Sequence, residues 1–126
     1  MQLNISHEKK CEELLNFDEI RFVGIINHLG NLVAEGFKET VEPFETEEKR
    51  RMLYMQMVLE ISMRKDFDNE LGEIDYIASK RKNALMISIP FKEKLMLISA
   101  SPTSSPEEIV VQAKRVFSKF KEDADV

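Results

Sequence analysis

The chain runs to 126 residues, 43% of them hydrophobic and 33% charged, with a net charge of −5. That length suits one domain able to bury a core without disulfides or metal, so a single domain over residues 1–126, with its core at 7–120, is expected. No segment approaches the roughly 18 consecutive apolar residues of a membrane-spanning helix, and the acidic balance opposes non-specific binding to phosphate backbones.

Neither nucleic acid nor a membrane is therefore an expected partner. The basic clusters Lys49-Arg50-Arg51 and Lys80-Arg81-Lys82 lack interleaved aromatics and read as solvated surface. The opening MQLNISHEKKCEELLNF has no apolar centre of an export signal, which gives the cytoplasm as the expected location. Cys11, the lone cysteine, is expected to be a small buried apolar side chain.

The first element is a short lid helix over 7–17, where Cys11, Leu14 and Leu15 fall at helical spacing behind Ser6 as N-cap. Residues 21–27 and 32–36 read as strands joined by His28-Leu29-Gly30-Asn31, with Gly30 and Asn31 supplying positive backbone angles for the turn. In the first strand Phe22 and Ile26 point one way, Val23 and Ile25 the other, and Gly24 leaves room for a neighbour. A strand apolar on both faces belongs in the middle of a covered sheet.

The polar connection KETVEPFETEEKRR leads to Thr46, N-cap of a long helix reaching residue 65, with Glu47 and Glu48 in its first turn. Its middle, MLYMQMVLEISM, is almost continuously apolar. Leu53, Tyr54, Met57, Val58 and Ile61 make one stripe, while Met52, Met55, Leu59 and Met63 lie partly outside it. One sheet cannot cover both sets, so the helix requires either a second helix or an enclosed ligand.

After a break at 69–72, residues 73–80 read as an edge strand with Ile74, Tyr76 and Ala78 on one face. Residues 84–91 follow, with Leu85, Ile87, Ile89 and Phe91 facing one way, and 94–101 sets Leu95 and Leu97 against Met96 and Ile98. Ser105 then caps a helix with Pro106 at its first position and Glu108 closing a capping box. That helix is expected to bury Ile109, Ala113, Val116, Phe117 and Phe120, and residues 121–126 to fray. The order α-β-β-α-β-β-β-α specifies an α+β fold, one sheet with helices on its faces.

No catalytic constellation emerges. Gly24, Gly30, Gly36 and Gly72 never take a phosphate-cradling spacing, and His7 and His28 form no metal-ligand pair. Asp66, Asp68 and Glu70 alternate as in a calcium loop, but Gly72 comes one residue late and Ile77 stands where the bidentate Glu belongs. The stretch reads as a solvated helix end and turn. The hydroxyls at Ser99, Ser101, Thr103, Ser104 and Ser105 have no paired base, and Glu35 and Glu60 are unplaced carboxylates. No catalytic, metal-binding or cofactor-binding residue is nominated, and the chain is expected not to be an enzyme.

The order of elements and the hairpin VGIINHLGNLVAEG, through Val23, Ile25, Gly30, Leu32, Val33 and Ala34, resemble the roadblock family of dynein light-chain-like proteins, within the profilin-like and longin-like group. The whole chain is also similar to small archaeal proteins carrying RFVGIINHLGNLVAEGFK and YMQMVLEISMRKDFD segments, which brings no activity with it. The roadblock resemblance implies a five-stranded antiparallel sheet with the third strand at an edge, and homodimers that join these edges and pair the long helices. The interface would hold Met52, Met55, Leu59, Met63, Ile74 and Tyr76. It further implies a scaffold or a regulator of small GTPases, without cofactor or catalytic residues. Residues 66–72 are longer and more acidic than the family's usual connection. The alternative is a profilin-like or PAS-like sensory domain binding a small ligand between the long helix and the sheet.

Overall fold

In the computed structural model, which describes residues 2–38 and 45–119, the strand apolar on both faces sits inside the sheet. β1 (Ile20–Ile26) runs between β2 (Leu32–Phe37) and β5 (Lys94–Ala100), and β4 (Leu85–Phe91) and β3 (Ile77–Lys80) complete the order β2-β1-β5-β4-β3. Every neighbouring pair is antiparallel, so the sheet is the five-stranded one that the resemblance implies, with β3 at an edge.

Helices α1 (Gln2–Leu14) and α4 (Pro106–Lys119) cover one face, where Cys11, Leu14, Ile109 and Val116 join Val23, Ile25, Ile87 and Ile98 in the larger core. Helix α2 (Glu47–Arg64) covers the other through Tyr54, which meets Phe22, Ile26, Met86 and Leu97. The period-2 alternation of β1, β4 and β5 is thus spent on two different helical layers. Gly24 is required where it stands: an added Cβ would lie 2.8 Å from Phe22 Cζ and 3.0 Å from Leu32 Cδ1.

The caps of α2 and α4 follow the sequence. Thr46 Oγ1 accepts the Lys49 N–H at 3.2 Å and Ser105 Oγ accepts the Glu108 N–H at 3.4 Å. Three local expectations are corrected. Helix α1 begins at Gln2, which leaves Ser6 inside it; a cap preference of about 1 kcal/mol does not decide where a packed helix starts. In the first hairpin only Gly30 has a positive φ, +82°, because Asn27 Oδ1 accepts the N–H groups of Leu29 and Asn31 and closes the turn without a second left-handed residue. Strand β3 spans only Ile77–Lys80: Asp75 pairs with Lys114 of α4, and Pro90, which that register would bring opposite Asp75, offers no N–H. The expectations for Phe120, for residues 39–44 and for 121–126 lie outside the described residues.

Candidate functional site

On α2 the inward stripe is occupied. Tyr54 stacks over Phe22 with ring centroids 6.5 Å apart, Ile61 is buried, and Met57 Sδ accepts a hydrogen bond from Ser88 Oγ at 3.3 Å. The outward residues have no such cover: Met52, Met55, Leu59 and Met63 are 52%, 44%, 53% and 72% exposed. The structure therefore brings these four together on one open apolar face. Met55 also lies under the first hairpin, its Cε 3.1 Å from where a Cβ on Gly30 would stand.

The open face continues where sequence reasoning stopped. Beyond α2 the chain forms a 3-10 turn (Lys65–Phe67) and a short helix α3 (Asp68–Leu71), and Phe67 and Leu71 are exposed as well. Leu59, Met63, Phe67 and Leu71 follow one another at four-residue intervals, a helical signal hidden by the comparison of 66–73 with a calcium loop.

Ile74 and Tyr76 are placed differently from the helix residues. Both precede β3 rather than belonging to it and both are half-buried, with Tyr76 packed against the core under α1 and α4. The edge strand itself exposes Ala78, Ser79 and Lys80.

Little room exists between the sheet and the first half of α2. The cleft lined by Phe22, Phe37, Leu53, Tyr54 and Met86 holds about 20 Å³, space for one water rather than an organic ligand. A wider open groove of about 670 Å³ runs past the C-terminal end of α2, between Ile61, Lys65, Ile74 and the turn joining β4 to β5, and its lining mixes apolar side chains with charged ones of both signs.

Two further buried titratable groups, Cys11 and His7, lie on the opposite side of the sheet. Burial, with Glu8, Glu12 and Glu35 nearby, pushes the Cys11 thiol up to about 12, so no thiolate is available there. Burial and then Lys10, Lys94 and Lys92 hold His7 below its ordinary value; its ring meets Phe91 edge-on at 6.2 Å. Among the described residues no three His, Cys, Asp or Glu side chains converge as a metal site, and no helix is long and apolar enough to cross a membrane.

The fold has close counterparts among solved structures. A roadblock/LC7 domain from Streptomyces avermitilis matches with a TM-score of 0.73 at 5% identity, over 94% of this chain and 98% of that one. The gliding protein MglB from Thermus thermophilus matches with a TM-score of 0.78 at 13% identity, over 98% and 91%. A Schizosaccharomyces pombe profilin gives 0.64 at 12% identity, over 91% and 96%. The roadblock and profilin-like architecture is thereby shown. No curated protein matches the sequence. The family model described as a family of unknown function, DUF6659, matches residues 1–125, and the chain belongs to that family.

Proposed function

We propose that this chain is a non-enzymatic regulatory module that acts as a homodimer in the cytoplasm, self-associating through the outer face of α2 and the edge strand β3 while its charged surface binds a protein partner of the small GTPase class. The observation that carries the reading is the row Met52, Met55, Leu59 and Met63, open to solvent on a helix whose other side packs on the sheet through Tyr54 and Ile61. Contiguous exposed apolar side chains mark an interaction surface, whereas single scattered ones do not. A two-fold pair of such faces would cover both at once, since the same patch serves each copy. An MglB solved in a tetrameric arrangement, with a TM-score of 0.78 to this chain, supports multi-copy assembly on this fold. The partner class comes from the roadblock resemblance, and Ile74 and Tyr76 belong to the proposed interface at its margin. The ligand-sensing reading is not favoured, because the cleft beneath Leu53 and Tyr54 accommodates one water and the wider groove past the C-terminal end of α2 lies open to solvent.

Sedimentation of the purified chain tests the reading. It is expected to give twice the chain mass, falling to the chain mass in Leu59→Glu with the fold retained. A wild-type protein that stays at the chain mass at every concentration overturns it. Titration with purified small GTPases in both nucleotide states tests the partner.

A further inference from the structure

The sulfur atoms of this chain divide by location. Cys11 is fully buried with its thiol protonated, Met86 and Met96 are buried in the core, and Met57 is half-buried with its sulfur held by Ser88. Met52, Met55 and Met63 alone among the described sulfur-bearing residues stand exposed, and all three lie on the outer face of α2. Leucine, as at position 59, would supply similar apolar area there. What methionine adds is a soft thioether that peroxides oxidise by two electrons.

We infer that Met52, Met55 and Met63 form an oxidative modification site at which conversion to methionine sulfoxide by a hydroperoxide blocks the association of α2 with its copy. The inference rests on the self-association reading above. In each event the thioether sulfur attacks a peroxide oxygen: an S–O bond forms, the O–O bond breaks, and the departing oxygen takes up a proton to leave as water or an alcohol. Sulfur loses two electrons and the peroxide gains them. The product carries a strong acceptor oxygen where the facing copy presents apolar side chains, so assembly would leave that oxygen without a hydrogen bond. Two-fold symmetry makes each sulfoxide count twice. An assembled face excludes the oxidant, so modification proceeds through the free protomer and slows as protein concentration rises.

The test treats the full chain with hydrogen peroxide at concentrations spanning its association midpoint, with peptide mass mapping and sedimentation as readouts. Met63, Met52 and Met55 are expected to gain oxygen before Met57 and well before Met86 and Met96, and the dissociation constant to rise about a hundredfold or more. Methionine sulfoxide reductases of both epimer specificities should restore assembly. The combined variant Met52→Leu, Met55→Leu, Met63→Leu should remain associated at the same peroxide dose. A wild-type dimer that persists with all three sulfurs oxidised, or a leucine variant that dissociates as readily, overturns the inference and leaves self-association standing. A wild-type chain that is monomeric before peroxide overturns both.

Discussion

The closure of α1 over β2 turns on Gly36, and the substitution Gly36→Ala measures how tight that closure is. An added Cβ would stand 2.9 Å from Leu15 Cδ1, 3.3 Å from the Cys11 carbonyl carbon and 3.4 Å from Cys11 Cβ. Carbon atoms pack best at about 3.5–4.0 Å, so the Leu15 methyl must retreat by roughly 0.7 Å and the α1 backbone by a few tenths. The methyl moves easily, but the carbonyl carbon moves only with the helix. Overpacking of this kind costs about 1–3 kcal/mol, and the loss of glycine's unfolded-state freedom returns about 0.4–1 kcal/mol, leaving a net destabilisation of about 1 kcal/mol. Gly36→Val, with two further carbons against the same wall, should lose about 3 kcal/mol. Urea unfolding followed by far-UV circular dichroism reads both, and Leu15→Ala should cost less in the Gly36→Ala background than alone, since it removes the nearest clash. A valine variant as stable as the wild type would refute the account of a helix seated directly on a strand backbone.

Two further outcomes follow from the same geometry. The folded pKa of His7 lies below the unfolded value of about 6.5, so the unfolded chain binds more protons between the two; the stabilising effect is complete above about pH 6.5 and is lost as pH falls through the folded pKa. His7→Phe, which keeps an aromatic ring against Phe91, should flatten the decline in urea midpoint between about pH 7 and pH 5, and an unchanged slope would show that the histidine does not titrate on unfolding. Thr46→Ala removes the acceptor of the Lys49 N–H and should lower stability by about 1 kcal/mol in thermal denaturation, with no loss if solvent caps the helix equally well.

The sequence is legible where a signal is local or strictly periodic. Phe22 and Ile26 against Val23 and Ile25 announce an interior strand, and Ser105-Pro106-Glu107-Glu108 marks the start of α4 at the residue where it occurs. The split of α2 into engaged and open sides is visible for the same reason, a 3.6-residue period over five turns. Long-range competition is harder to see. The alternation at 73–76 looks like strand, yet Asp75 finds Lys114, thirty-nine residues away in α4, and Tyr76 finds the core instead of a ladder. Phe67 and Leu71 are hidden because their acidic neighbours dominate the composition of that stretch, although their spacing from Leu59 and Met63 carries the helical phase onward.

The two faces of β4 explain why the apolar surplus lies outside α2. Toward α1 and α4 the strand presents Leu85, Ile87 and Ile89, large side chains that two helices cover; toward α2 it presents Met86 and Ser88. The same contrast recurs in β1, where Gly24 separates Phe22 from Ile26 while Val23 and Ile25 fill the other side. Phe22, Ile26, Met86 and Leu97 stand under Tyr54 and fill that layer, which is why so little volume remains in the cleft there. A ligand-binding design would leave that layer hollow and line it with apolar groups turned inward. Here Tyr54 and Ile61 are already buried, so covering Met52, Met55, Leu59 and Met63 by repacking within the same subunit would lift those two from their contacts.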